Sequence, residues 1–166
     1  MNRKRTQGMS IFNDVKDLAG GQPKSRDWYR SQLLYGLQDY DGGFRTGDII
    51  FFSYSPQTPS PPLPWYDRYP MVQITERDTT KGQFTGGNLH YLRPNFRRSV
   101  GKMWATGAYQ YPMQCYHKYF MNSVSNAKTI PREEFVNWNP LPLEQFWIKR
   151  GGSWMDIPSS HIWSRV

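Results

Sequence analysis

A single cysteine, Cys115, stands in 166 residues. One thiol excludes an internal disulfide framework and supplies no metal cluster by itself, so the chain suits a reducing cytoplasm. No apolar run approaches the roughly 20 residues that span a bilayer. The opening MNRKRTQGMS lacks the apolar stretch of a signal peptide, and no membrane partner is expected. Acidic residues are also in short supply, 13 against 21 Lys and Arg, for a formal charge of +8. That balance favours an anionic partner such as nucleic acid and says nothing about fold. Histidine is scarce: His90, His117 and His161 lie far apart, with no HExxH or CxxC spacing to suggest zinc.

Aromatic residues fill the gap. They make up 16% of the chain, with seven Trp, eleven Tyr and nine Phe, while the mean hydropathy is −0.77. Tyr and Trp join a large apolar body to a polar tip, which suits surfaces that become buried on assembly. A small core short of Leu and Val, packed with rings, would leave the same composition.

Read along its length, the chain divides into a basic arm over residues 1–9 and one domain over 10–166. Ser10 reads as the N-cap of a short helix with Ile11, Phe12, Val15 and Leu18 on one side, stopped by the glycines at 20–21. Ser25 caps a second helix with Trp28 or Tyr29, Gln32, Leu33 and Leu37 at helical spacing, ended by DGG at 41–43. The period then changes. GDIIFFSY (47–54), MVQITER (71–77) and GGNLHYL (86–92) are β-rich and bounded by Gly and Pro, and they predict three strands. Gly82 and the glycines at 86–87 read as turns around a short QFT segment. Pro94 and Pro112 sit where helices would begin, the first running to Trp104 and the second through MQCYHKYFMNSV. The order predicts an α+β fold: a small antiparallel sheet or barrel over about 47–92, flanked by N-terminal and C-terminal helices.

The proline-dense stretch from Ser55 to Pro70 reads as a rigid corner, because each proline fixes φ and holds its predecessor extended. Its PxxP spacings are a weak docking signal. Asp67 could serve as a general base, but an Asp in a turn more often bonds nearby backbone N–H groups or an Arg. Cys115 and His117, two apart, would face different sides of a helix. Glu133 and Glu134 fit a helix start, and His90 fits a hydrogen-bonding residue on a strand. No catalytic residue, metal ligand or cofactor motif emerges from these patterns.

Arg93, Arg97, Arg98 and Lys102 cluster on one predicted helix, and with Arg3, Lys4 and Arg5 they could neutralise phosphates. Tyr91, Phe96 and Trp104 lie among them and could stack on bases. The same basic residues could instead meet solvent or acidic protein surface.

The ordered frame GDIIFFSYSP, LPWYDRYPMV, GGNLHYLRP, CYHKYF, PREEF and LPLEQF, spanning about residues 47–147, resembles a family of small virion-associated proteins of contractile-tailed bacteriophages. Met71 stands where that pattern has Leu, Thr85 precedes the glycine pair, and SPQTPSPP lengthens the corner. The resemblance implies a virion component of tail, baseplate or neck, assembled in the host cytoplasm among other phage virion proteins in a multi-subunit particle. The alternative it implies is a DNA-binding protein that protects packaged ends. It brings no catalytic residue. On the structural reading, Trp65, Tyr66 and Tyr69 of the corner join neighbouring subunits. Arg3, Arg5 and Met9 at one end, and Ile162 and Trp163 at the other, are expected to contact adjacent chains.

Overall fold

A computed structural model describes residues 10–56, 65–106, 110–131, 134 and 140–164. Its first helix, α1 (Ile11–Ala19), begins where the Ser10 hydroxyl accepts the Asn13 N–H at 3.2 Å, and it stops at Gly20. Ile11, Phe12, Val15 and Ala19 are buried, while Leu18, expected on that stripe, is 50% exposed. At 3.6 residues per turn Ala19 falls nearer the centre of the stripe than Leu18 does. Helix α2 (Arg26–Gly36) is capped by Ser25, which accepts the Trp28 N–H at 3.1 Å, and it buries Arg30 and Leu33. It ends before the DGG sequence, since Leu37 is already extended.

Eight strands follow: β1 (Ile49–Tyr54), β2 (Trp65–Asp67), β3 (Met71–Asp78), β4 (Gln83–Asn88), β5 (Tyr116–Phe120), β6 (Val124–Thr129), β7 (Phe146–Arg150) and β8 (Ser153–Ile157). They build an antiparallel five-stranded sheet in the order β5-β4-β3-β1-β6 and an antiparallel three-stranded sheet in the order β2-β7-β8. Helices α3 (Pro94–Thr106) and α4 (Ser159–Trp163) and three short 3₁₀ turns are the other elements among the described residues. The architecture is the α+β class expected, with open sheets flanked by helices.

The continuous apolar run at the start of β1 has a direct cause. Successive strand residues point to opposite faces, and both faces of β1 are covered. Ile50, Phe52 and Tyr54 join Val72, Ile74, Phe84 and Tyr119 in one cluster; Ile49 and Phe51 join the larger core with α1, α2, Leu89, Phe146 and Ile162. Each fully buried Phe or Ile contributes about 1.5–3 kcal/mol.

Three sequence expectations change here. Residues 86–92 are not one strand, because the chain leaves β4 at Asn88 and makes a 3₁₀ turn over Leu89–Tyr91. Gly86 and Gly87 lie inside β4 and do not form a turn. A Cβ on Gly86 would lie 2.5 Å from the Gln73 carbonyl oxygen, and one on Gly87 would meet the Tyr111 ring at 2.6 Å. The helix expected from Pro112 is instead a 3₁₀ turn at Met113–Cys115, then β5, a second such turn at Met121–Ser123, and β6. Pairing with β4 and β1 supplies the hydrogen bonds a helix would have made internally. Both outer edges of the large sheet are blunted. Tyr54 Oη accepts the Phe120 N–H at 2.9 Å at β5, and the segment Gln38–Tyr40 exchanges backbone bonds with β6.

The second sheet went unforeseen. FWIKR and SWMDI pair across Gly151 and Gly152, whose φ values of 58° and 83° suit a tight hairpin turn that glycine adopts without strain.

Candidate functional site

A buried group of ionisable side chains lies beneath the corner, around Asp67 at the end of β2. Asp67 is 2% exposed, and four donors converge on its carboxylate. Oδ1 accepts the Tyr69 N–H at 3.0 Å and the Gln145 N–H at 3.2 Å. Oδ2 accepts Asn88 Nδ2–H at 3.1 Å and His90 Nδ1–H at 2.7 Å. The asparagine is held in turn, since its Oδ1 accepts the His90 N–H at 3.0 Å.

The His90 carbonyl carries the connection onward. It accepts Arg97 Nη2–H at 3.2 Å and Trp163 Nε1–H at 3.0 Å. Arg97, itself 2% exposed, donates Nε–H to the Leu92 carbonyl at 2.9 Å and Nη1–H to Glu144 at 3.1 Å. Arg26 of α2 reaches the other Glu144 oxygen at 3.4 Å, and Arg30 donates to the Leu143 carbonyl at 2.9 Å. Burial alone would raise the Glu144 pKa; the Arg97 charge, with His90 and Arg26, outweighs it and holds the carboxyl at about 2. The hub thus joins α2, β2, the turn after β4, α3, the entry to β7, and α4.

This geometry orders the fold around it. General acid–base work needs a proton donor or acceptor within reach of a substrate. The His90 and Asp67 side chains are 2% and 1% exposed. The crevice beside them, lined by Met71, Leu89, His90, Arg97, Pro140 and Leu141, has no room for a water molecule. Cys115 is fully buried and its thiol is pushed up to about 12 by burial. His117, its pKa lowered by burial, stacks on Tyr91 at 4.1 Å. Among the described residues, no group of three or more His, Cys, Asp or Glu is placed to hold a metal ion.

The sequence-derived candidates scatter. Arg97 leaves the basic surface altogether, because its guanidinium is consumed by the Leu92 and His90 carbonyls and Glu144, and it cannot also meet phosphate. Arg93, Arg98 and Lys102 are exposed on or beside α3, a helix without an acidic residue, and Phe96 among them is 55% exposed. Tyr91, read as a base-stacking ring, is 4% exposed. Ile162 is fully buried in its own chain and has no side-chain surface left for an adjacent subunit. Trp163 is half-buried, with the Arg97 guanidinium 5.4 Å from its ring centre. Trp65, Tyr66 and Tyr69 are half-buried against the core, and the Arg30 and Arg68 guanidiniums lie 4.4 and 5.4 Å from the Tyr69 ring. Arg3, Lys4, Arg5, Met9, most of the proline run (57–64) and the Trp104 side chain lie outside the described residues.

Glu134 illustrates what sequence reasoning missed. Its carboxylate sits at the N-terminus of α1, accepting the Ile11 N–H at 2.5 Å and bonding the Ser10 hydroxyl, more than 120 residues away in sequence. Glu144 was equally invisible, for the same reason of distance. Trp147 and Trp154 were within reach, since aromatic alternation on either side of Gly-Gly is a hairpin signal.

Large apolar side chains remain at the surface: Met113 is 90% exposed, Tyr35 63%, Phe96 55% and Met155 52%. No family model, curated protein or solved structure matches the chain.

Proposed function

We propose that this chain is a non-enzymatic structural component of a contractile-tailed phage particle, in the tail, baseplate or neck, that joins neighbouring protein subunits. One observation carries the building-block part of the reading. The best-equipped ionisable cluster is sealed inside as a scaffold, while several large apolar side chains stand exposed on different elements. Sealed charge networks serve rigidity, and exposed apolar groups serve association. The virion part rests on the ordered motif string over about residues 47–147. The corner rings Trp65, Tyr66 and Tyr69 keep part of their surface for a neighbour, and the basic arm with Arg3, Arg5 and Met9 supplies a second contact.

The test is incorporation. Particles grown with a tagged copy should carry the tag at one fixed position in a low-resolution map. A chain lacking residues 1–9 should fold normally yet enter particles poorly. Particles devoid of the protein would sink the reading.

A second reading, protection of packaged DNA ends, is favoured by exposed Arg93, Arg98 and Lys102 around Phe96 on an acid-free helix. Its mark is affinity for duplex ends that falls steeply as salt rises, because phosphate contacts release counterions.

A further inference from the structure

The outer face of the three-stranded sheet has no part in the hub. Strand pairing sets Tyr66 opposite Trp147, Trp147 opposite Asp156, and Lys149 opposite Trp154. Since residues two apart share a face, Tyr66, Trp147, Lys149, Trp154 and Asp156 lie on one side, and Arg68 continues that side past the end of β2. The Tyr66 ring is 5.1 Å from Trp154 and 6.3 Å from Trp147, edge to face in both cases. The Arg68 guanidinium lies 3.7 Å from the Trp147 ring centre. Both tryptophans are partly exposed, and Lys149 is exposed beside them.

We propose that this face binds single-stranded nucleic acid, with bases stacking on Trp154 and the open part of Trp147, and backbone phosphates meeting Lys149 and Arg68. Rings on a sheet surface interleaved with cations are the recurring arrangement for unpaired strands, because every base offers a stacking face and every nucleotide a negative charge. Charge favours this occupant. Lys149 and Arg68 are on the face, whereas the lone acid on it, Asp156, already accepts Trp147 Nε1–H at 2.6 Å and Gln145 Nε2–H at 2.8 Å. Aromatic sheet faces also take proline-rich peptides, which dock in open grooves between rings. Here Asp156 occupies the Trp147 N–H and Arg68 covers one face of that ring. Duplex DNA is disfavoured because it hides the base faces.

The experiment uses the full chain and a labelled oligothymidylate of ~12 nucleotides, within the usual footprint of such sites. Binding should quench tryptophan fluorescence, saturate, weaken as salt rises, and exceed binding to a duplex of the same length. Trp154→Ala should weaken it about tenfold or more, Trp154→Phe should restore most of it, and Lys149→Ala should weaken it and flatten its salt dependence. Should Trp154→Ala melt early, the exposed Lys149→Ala change carries the test alone. No saturable binding, binding indifferent to the variants, duplex preferred over single strand, or quenching by a proline-rich peptide instead would each overturn the proposal. It stands apart from the assembly reading, since a chain that enters particles yet ignores oligothymidylate sinks this proposal alone.

Discussion

Nδ1 of His90 donates to Oδ2 of Asp67 at 2.7 Å, tying the turn that leaves the five-stranded sheet to the first strand of the three-stranded one. Both side chains are almost completely buried, and the Asp67 carboxylate serves three further donors. Asp67 thereby ties the two sheets together, alongside the Tyr54 N–H to Arg68 carbonyl bond and the apolar core they share.

Asp67→Asn preserves volume but turns one acceptor oxygen into an NH₂ donor, so two of the four donors lose their partner. Each buried donor left unmet costs about 1–3 kcal/mol, which predicts a loss of about 2–6 kcal/mol. Urea unfolding measures it. An unchanged midpoint would show that the hub does not hold the sheets.

Acid should unfold the protein through Glu144. Its folded pKa of about 2 lies below the ordinary value of 4.5, so its contribution is fully present above pH 4.5 and fades as pH falls towards 2. The shift corresponds to roughly 3 kcal/mol. Glu144→Gln should remove that acid dependence and strand the Arg97 charge, lowering stability by about 3–5 kcal/mol at neutral pH. Parallel pH–stability curves for the two proteins would refute this assignment.

Gly86→Ala should destabilise by about 1–3 kcal/mol. Its Cβ would meet the Gln73 carbonyl oxygen at 2.5 Å, and a paired β3 backbone cannot swing aside as a flexible side chain can. Thermal melts compare it with Gly82→Ala, which meets nothing within 4 Å but has a left-handed φ of 62°. Loss through backbone strain at position 82 and steric loss at 86 separate on adding Gly82→Asn, since Asn tolerates that φ and should recover part of the melting temperature.

Cys115 should resist thiol reagents in the native protein at pH 8, because burial keeps it a protonated thiol far below its pKa of about 12. Labelling should follow unfolding, with full reaction only in denaturant. Rapid labelling of the folded chain would contradict its burial.

Much of the fold was legible because local patterns decided it. Ser10 and Ser25 act as the caps their spacing announces, and the apolar β-branched and aromatic runs at 49–54 and 71–78 are strands. The run from Met113 to Val124 misled, since Pro112 can open either a helix or an extended turn and only the β4 edge settles which. His90 was read as a strand residue with a hydrogen bond; the bond exists, but on a turn.

By itself the sequence determined the class, α+β, the two N-terminal helices and the pairing strands β1 and β3, because cap chemistry and strand periodicity act over a few residues. The tertiary structure alone decided which charges disappear inside. Arg97 looks like its neighbour Arg98 in any local window, yet it is buried with Glu144, 47 residues on, while Arg98 is exposed. Glu134 likewise reaches α1 across most of the chain. Burial of a charge depends on a partner supplied by another element, and that pairing is settled only when the elements pack.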